Sequence, residues 1–573
     1  MNATQTPIER AQDWLNSSVF DVQTKEEVNA LIAGDPSNLE DSFYKDLEFG
    51  TGGIRGKMGV GTNRINVYTL GRATQGLSQY LKNTFSGEIK IAIGYDVRHN
   101  SKAFARAVAE IFSANGIRVF LFEDFRPTPL LSFAVRELGC QAGIVLTASH
   151  NPPIYNGYKV YFSSGAQIVP PEDSQIISEI QKTSFEQIRF EANSTLIETI
   201  GEEIDQKFIQ QSLKACGIED SIAGKTKIVF TPIHGTSVHL LPKLLKQAGF
   251  DDVHLVESQA VPSGDFPTVK SPNPEEPEAL EKALELAKEI DADVLFGTDP
   301  DADRLGIGVK DLTGNWQLLN GNQTNAVLVD FLLEKRKEQG LLKPTDFVGS
   351  TIVSSDLIIS IANHYGVQCK VGLTGFKWIA KMIEDFSDQT FVCGGEESYG
   401  FMVGDFVRDK DALTSALLVV LACQELKAKG SSFYQKLLEI YTRSGLYRED
   451  LISLTKEGVS GQKEIASLMQ KFRSTPPKEF AGEKIISVDD YLHSTSWDYF
   501  SKIQTKLEVP KSDVLIFYTV KGLKIALRPS GTEPKIKFYT SSHLPMSKMA
   551  DYPKLLEKSQ KKLEDLKMQL LEY

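Results

Sequence analysis

The chain has 573 residues, 41% of them hydrophobic, and carries a net charge of −12 from 63 basic and 75 acidic side chains. That length calls for several domains, and the apolar content is enough to fill several cores. The acidic balance argues against nucleic-acid partners or binding to an anionic membrane, so any cations needed to handle a phosphate have to be focused in one place. The five cysteines, Cys140, Cys216, Cys369, Cys393 and Cys423, show no paired metal-ligand spacing and read as the reduced thiols of a cytoplasmic protein. The first residues lack a basic region followed by an apolar core, and the run Ala416–Cys423 is too short to span a bilayer, so neither export nor anchoring is expected.

The first segment with chemical character is Phe49-Gly50-Thr51-Gly52-Gly53-Ile54-Arg55-Gly56. It is not a dinucleotide fingerprint, because Arg55 stands at the third glycine position. Nor is it a nucleotide P-loop, because Thr51 replaces the first glycine and Met58 follows Lys57. A phosphate-touching loop centred on Arg55 remains. Beyond it the chain repeats a pattern three times. The β-like runs Lys90–Gly94, Lys227–Phe230 and Val348–Val353 each lead into a helical stretch that ends at Gly116, Gly249 or Gly366. Each glycine introduces a short strand, at Ile117–Phe122, Val253–Val256 and Val367–Val371, and a further helix and strand follow. Every β-α-β-α-β unit then delivers one polar loop: Ser149 in the first, Asp299–Asp303 in the second, Glu396–Ser398 in the third. Open α/β sheets bind ligands beyond the carboxyl ends of their strands, so these loops are predicted on equivalent edges facing a central cleft.

After about residue 445 the pattern changes. A polar stretch at 474–479 precedes β-like runs at Lys484–Val488, Val514–Thr519 and Lys524–Leu527, which predicts a smaller C-terminal α+β domain. Residues after Asp551 read as an amphipathic helix whose Leu/Lys/Glu pattern suits core packing rather than a partner. The predicted fold class is α/β, with three repeated domains and mixed sheets at 1–205, 206–322 and 323–445, followed by the C-terminal domain at 446–573.

Thr147-Ala-Ser-His-Asn-Pro152 puts the hydroxyl of Ser149 on a tight loop after the apolar run Ala142–Leu146. A loop serine is ordinarily a turn former; in company with the other loops it becomes a candidate covalent phosphate carrier. Asp299, Asp301 and Asp303 alternate, and on an extended backbone they would point to one side. Hard oxygen ligands of this kind suit Mg²⁺, and an oxygen of phosphorylated Ser149 would complete the shell. A calcium loop of the helix-loop-helix kind fails, because Arg304 sits where it needs glycine and Lys310 where it needs glutamate. Gly394–Gly400 offers acceptors for sugar hydroxyls. The segment from Arg528 to Lys535 has the chemistry of a phosphate pocket: a fork-shaped cation, two hydroxyls, a glycine amide and a lysine. Taken singly, each of these two also reads as an ordinary loop.

Together, these four loops and the Phe49–Gly56 segment resemble the α-D-phosphohexomutases, the phosphoglucomutase and phosphomannomutase superfamily, from about Phe49 to Thr540 and in the family's order. The resemblance implies a phosphoserine isomerase interconverting α-D-glucose 1-phosphate and glucose 6-phosphate through glucose 1,6-bisphosphate, which also acts as activator. In that scheme Mg²⁺ is held by Ser149, Asp299, Asp301 and Asp303, and Arg55 and Arg304 stabilise charge. Lys159 matches the family lysine proposed to move the hydroxyl proton, and His150 either assists the nucleophile or orients it. Thr374, Gly375, Lys377, Glu396 and Ser398 correspond to sugar contacts, and Arg528, Ser530, Gly531, Thr532 and Lys535 to the holder of the non-reacting phosphate. Asp96, Arg98 and Ser101 match a family segment that a structural ion pair explains equally well. Gly-Glu-Glu-Ser at the sugar loop resembles glucose-preferring branches, where dual-specificity enzymes often carry methionine at the position of Glu397. The stretch Asp405–Asp411 looks most like the branch that also holds phosphopentomutases and glucose-1,6-bisphosphate synthases, but with Phe406 where some branches have histidine. Phosphomannomutase, phosphopentomutase and bisphosphate synthase activities are therefore the alternatives, and a metal-dependent sugar phosphatase or a silent sugar-phosphate binder the remote ones. The expected partners are small sugar phosphates, with no nucleic acid or membrane, and the expected state is a monomer or small homo-oligomer.

Overall fold

The structure, a computed structural model, describes residues 5–50, 52–456, 458–530 and 535–573. It comprises two compact units, Met1–Gly308 with Tyr399–Gln424, and Val309–Ser398 with Glu425–Tyr573.

The first unit opens with three helices that have no counterpart in the sequence reading: Pro7–Asn16, Val22–Ala33 and Pro36–Phe43. Thr6, Asp21 and Asp35 cap their N-termini by accepting backbone N–H bonds, and proline begins the first and third. Their apolar faces close over Trp14, Phe20, Phe43 and Tyr68, with Trp14 stacked on Phe20 at 4.1 Å. Next comes a six-stranded sheet in the order Gly53–Lys57, Tyr155–Phe162, Ala142–Leu146, Lys90–Tyr95, Arg118–Phe122 and Ile197–Ile200. The last four strands run parallel and the first two antiparallel. A second sheet sets Val294–Thr298 and Val253–Leu255 on either side of Ile228–Thr231, all parallel.

In the second unit Asp346–Thr351 lies between Gln368–Gly372 and Thr390–Glu396, again parallel. The three β-α-β-α-β units are therefore real, and the glycines close their helices as expected. Gly116, Gly249 and Gly366 have φ of 76°, 97° and 72°, the left-handed region that favours glycine. Gly249 has a second constraint, since a Cβ there would lie 1.8 Å from the Ile222 carbonyl oxygen.

The C-terminal part of the second unit is an antiparallel sheet larger than the sequence suggested. Its path runs Leu446–Thr455, Lys535–Leu544, Leu523–Pro529, Leu515–Thr519, Glu483–Asp490, Thr495–Asp498 and Ile503–Lys506. Alternation along Leu523–Pro529 sorts its side chains. Leu523, Ile525 and Leu527 join Phe517 and Phe538 under the helices Gly458–Ser474 and Tyr552–Leu571, which contribute Met469, Phe472, Leu563, Leu566 and Leu570. Each such fully buried leucine contributes about 1.5–3 kcal/mol, so the terminal helix is core, as its pattern predicted. Ala526, on the opposite face, packs with Tyr539 against Ile352, Val353 and Leu373.

Asp411, fully buried ahead of the helix Ala412–Ala428, accepts the backbone N–H of Leu413 at 3.0 Å and of Thr414 at 3.1 Å. Burial pushes its carboxyl up from 3.8 to about 6. A carboxyl raised in the folded state favours folding below its unfolded value and loses that contribution as pH rises through the folded value. The gap amounts to about 3 kcal/mol. Thermal midpoints of parent and Asp411→Asn measured from pH 4 to 7 are expected to diverge in the variant's favour as pH rises. Parallel profiles would show that the carboxyl is not raised.

Candidate active site

The strand Ala142–Leu146 is buried along its whole length and ends in the loop 147–154 before the chain returns antiparallel at Tyr155–Phe162. Ser149 sits in this loop, 2% exposed, with a left-handed φ of 51°. A non-glycine residue in that region costs on the order of 1–3 kcal/mol and persists only where its surroundings over-determine it. Here they do. The buried Arg98 guanidinium donates to the carbonyl oxygens of Ser149 (2.5 Å), Asn151, Pro152 (2.8 Å) and Tyr155 (3.1 Å). Asp96 lies 3.2 Å from Arg98 and accepts the hydroxyls of Thr147 at 2.6 Å and Ser101 at 2.7 Å. The Asp96–Arg98 pair is thus a structural ion pair, and it holds the 147–154 loop in place.

Ser149 Oγ donates to Asp299 Oδ2 at 2.7 Å and lies 3.1 Å from His150 Nδ1. Burial, then the cations of Arg304 and Arg55, hold the His150 imidazole well below its usual value, so the ring is neutral. Arg55, on Gly53–Lys57 opposite Gly157, donates to Asn151 Oδ1 at 2.9 Å and so stands beside the same loop. Thr51, from the same motif, lies outside the described residues.

Asp299, Asp301 and Asp303 are all buried and each directs one oxygen to within 4.8 Å of the others. The reason differs from the one expected. The backbone is a turn, not an extended segment: Ala302 has φ 54° and donates its N–H to the Asp299 carbonyl at 2.9 Å. The N–H groups of Asp303 and Arg304 both reach Asp299 Oδ1 at 3.0 Å. Neighbouring elements fix the turn from outside. Thr128 bonds Asp301 twice, by its amide to the carbonyl at 2.8 Å and by its hydroxyl to Oδ2 at 3.0 Å. The Thr236 amide reaches the Pro300 carbonyl at 2.8 Å.

Lys159 Nζ lies 2.8 Å from Asp301 Oδ2 and 3.2 Å from Asp303 Oδ2, and Lys410 lies 3.3 Å from Asp303. Burial and the charges of Asp301 and Asp303 raise Asp299 well above the usual carboxylate range. For Asp301 burial is the largest influence and acts in the same direction, but Lys159, a hydrogen bond with Asp299 and the charge of Lys410 together outweigh it and the carboxyl stays well below that range. Burial works against the Lys159 charge, yet the two aspartates raise it overall, so the side chain is a firmly held ammonium. Asp301 Oδ1 and Asp303 Oδ1 are buried with no hydrogen-bond partner among the described residues. Orphaned hard oxygens in a cluster of carboxylates fit a divalent cation such as Mg²⁺. Arg304 pairs with Glu275, and its Nε stays 3.8 Å from Asp303. Phe406 packs with Phe133 and Phe208 at 6.1 and 5.7 Å, so its position serves the core of the first unit.

In the second unit the strand Thr390–Glu396 delivers Glu396, whose carbonyl accepts Asn325 Nδ2 at 3.0 Å, and Ser398 follows. Thr374 and Gly375 lie between Gln368–Gly372 and the helix Phe376–Asp385, with Gly375 at φ 111° and the Thr374 hydroxyl buried without a partner among the described residues. Lys377 stands 5.7 Å from the Trp378 ring. Arg528 is half-buried at the end of Leu523–Pro529, in register with Lys537, and the Ser530 amide donates to the Lys535 carbonyl at 2.7 Å. Burial and the charge of Glu397 push the Tyr539 phenol up and Arg528 pulls it back, so the strand of Arg528 and the loop of Glu397 share one electrostatic neighbourhood. Gly531 and Thr532 lie outside the described residues. Arg98 and Lys410 lay within segments the sequence reading had singled out, but Thr128 and Thr236 carried no signal.

Models of the phosphoglucomutase/phosphomannomutase alpha/beta/alpha domains I, II and III match residues 46–187, 206–314 and 320–441. A phosphoglucomutase of Staphylococcus epidermidis is 40% identical over 509 residues, 88% of this chain and 92% of that protein. The chain belongs to the phosphoglucomutase/phosphomannomutase family. A Staphylococcus aureus phosphoglucomutase is 38% identical over 94% of this chain and 95% of its own length. Among solved structures, a family protein from Burkholderia thailandensis aligns with a TM-score of 0.64 at 19% identity, covering 91% of this chain and 97% of that one. The open form of parafusin, a phosphoglucomutase from Paramecium, aligns with a TM-score of 0.63 at 17% identity, covering 91% and 96%. These structures share the fold of three α/β domains followed by a sheet-rich C-terminal region. Among the described residues no helix is long and apolar enough to cross a membrane, and none of the five cysteines is in a disulfide.

Proposed function

We propose that this family member is a cytoplasmic α-phosphoglucomutase, exchanging glucose 1-phosphate and glucose 6-phosphate through a phosphoserine at Ser149 and a glucose 1,6-bisphosphate intermediate. The observation that carries the reading is the 2.7 Å bond from Ser149 Oγ to Asp299 Oδ2, a hydroxyl nucleophile set against three convergent carboxylates. The staphylococcal relatives named phosphoglucomutase support the choice of sugar.

Phosphoryl transfer needs positioning and charge neutralisation more than unusual covalent chemistry. The Ser149 Oγ–phosphorus bond breaks as a sugar hydroxyl oxygen bonds to phosphorus, and the proton that hydroxyl loses is balanced by the one the freed Ser149 Oγ gains. In the return step the other phosphate of the bisphosphate passes back to Ser149. Arg98 holds the loop so that Oγ does not drift, and Arg55 supplies positive charge beside it. Mg²⁺ held by Asp299, Asp301, Asp303 and an oxygen of the phosphoserine would supply Lewis-acid neutralisation of phosphoryl charge. Glu396, Ser398, Thr374 and Lys377 recognise the sugar in this scheme, and Arg528, Ser530 and Lys535 hold the phosphate that is not reacting. Turnover on glucose 1-phosphate, mannose 1-phosphate and ribose 1-phosphate, with and without added bisphosphate, tests the assignment. Preference for mannose or ribose would replace the sugar, and inorganic phosphate released at turnover rates would replace the mutase with a phosphatase.

Arg528→Ala is expected to raise the Michaelis constants for glucose 1-phosphate and glucose 6-phosphate alike, by about 30-fold or more, because a charge-assisted contact of about 2 kcal/mol or more is lost. It should also let bisphosphate escape, with partial recovery when bisphosphate is supplied in excess. Unchanged constants and no escape would remove the phosphate role from this strand.

A further inference from the structure

The strand that carries Arg528 and the loop that carries Glu396 and Ser398 are tied together inside the second unit by a chain of hydrogen bonds that uses none of the proposed ligand contacts. Lys524, Ala526 and Arg528 share one face of Leu523–Pro529. Lys524 is buried, and its ammonium donates to Asp356 Oδ1 at 2.6 Å and to the Ser354 carbonyl at 3.2 Å. The Ser354 hydroxyl in turn donates to Glu397 Oε2 at 2.8 Å and accepts the Glu397 amide at 3.1 Å. Thr351 braces this serine, hydroxyl to hydroxyl, at 2.8 Å. Glu397 lies between Glu396 and Ser398.

Apolar packing runs beside the polar chain. Ala526 and Tyr539 meet Ile352 and Val353, which immediately precede Ser354, and also Leu373, which immediately precedes Thr374. Both proposed sugar segments are therefore docked on the face of the sheet that presents Arg528. A buried cation bridging a carbonyl and a carboxylate is costly to hold unless both partners stay in place, so the bridge resists sliding of the strand along the loop.

We infer that Lys524 and Ser354 are positioning residues that set the span between the phosphate grip and the sugar contacts, and so select the length of the sugar phosphate bound. The inference rests on the mutase reading and deepens it. A mutase binds its sugar in two orientations with one phosphate holder, so a fixed span from that holder to the sugar contacts serves both. Pentose and hexose phosphates differ in that span, whereas inorganic phosphate has none.

The test is calorimetric titration of the full-length protein, in the Ser149→Ala background so that no turnover occurs, with glucose 6-phosphate, ribose 5-phosphate and inorganic phosphate as probes. Lys524→Met keeps the side-chain stem and removes the donor, and Asp356, 38% exposed, can then turn to water. Ser354→Ala breaks the same chain one link further on. Each single variant is expected to weaken glucose 6-phosphate by about tenfold or more, since small misplacements of remote supports cost that much, and to narrow the ratio between hexose and pentose phosphate. Inorganic phosphate should bind as in the parent. Because both residues act through Glu397, the double variant should lose no more than the worse single one, whereas independent structural damage would add. Equal weakening of inorganic phosphate, no weakening of glucose 6-phosphate, or additive losses would overturn the inference while leaving the mutase reading intact. If the Ser149→Ala protein with Lys524 and Ser354 unchanged binds no sugar phosphate at all, the functional reading fails and takes this inference with it.

Discussion

Ser149→Ala is expected to reduce mutase turnover by on the order of 10⁴-fold or more, because it removes the proposed covalent carrier through which both half-reactions would pass. The fold should survive the change. The loop is held by Arg98 through four carbonyl oxygens, none of which involves the serine side chain, and the Ser149 amide bonds Thr147 Oγ1 at 2.8 Å. What is lost is a single hydroxyl, with its 2.7 Å bond to Asp299 and its contact with His150. The net stability cost of such a bond is about 1 kcal/mol. Intact-mass measurement should find one phosphate on the parent protein after exposure to glucose 1,6-bisphosphate and none on the variant. Glucose 6-phosphate should still bind the variant, since its proposed contacts lie in residues that the substitution does not touch. Substantial mutase activity in the alanine variant would refute the covalent assignment, whatever its cause.

The fold and the site were legible in the sequence to different depths, for physical reasons that can be named. The three β-α-β-α-β units were readable because buried parallel strands are continuous apolar runs and their helices close on glycines that must be left-handed, as Gly116, Gly249 and Gly366 are. The antiparallel C-terminal sheet was harder. Leu446–Thr455 pairs over ten residues with Lys535–Leu544, yet most of Leu446–Thr455 is exposed or half-buried and its sequence, Leu-Tyr-Arg-Glu-Asp-Leu-Ile-Ser-Leu-Thr, alternates poorly. The N-terminal helices were missed because their aromatic cluster only makes sense with Tyr68, a residue of another helix.

In the site, the three aspartates do converge, but for a different reason from the one the sequence suggested. Alternation suggested an extended strand, whereas a turn with Ala302 at φ 54° brings the carboxylates together. Thr128 was out of reach of any sequence argument, since it bonds Asp301 across 173 positions from a Thr-Pro that looks like an ordinary helix start. Lys159 was found by resemblance, but its state was not. Only the geometry brings its ammonium onto Asp301 and Asp303.

Asp301→Asn is the second large effect expected, a loss of turnover on the order of 10³-fold, because a cation that neutralises phosphoryl charge contributes several kcal/mol in the transition state. Asp301 is the hub of the cluster: one oxygen takes both Lys159 and Thr128, and the other is buried with no hydrogen-bond partner among the described residues. Asparagine keeps the volume and the Thr128 bond can re-form, but the side chain brings an amide donor and no charge to a place built from hard acceptors. Two stability terms then oppose each other in metal-free buffer. Lys159 loses its nearer partner, while Asp299 and Asp303 lose a repelling neighbour, so the thermal midpoint alone is a poor guide. Its response to Mg²⁺ separates the cases. A ligand that binds only the folded protein raises the midpoint in proportion to its occupancy, so the parent should gain stability on titration with Mg²⁺ and the variant should gain much less. Chelation should silence the parent, and Mg²⁺ should restore it. Full turnover of the parent in chelated buffer, or an equal Mg²⁺ response in both proteins, would mean that the three aspartates do not hold the catalytic cation.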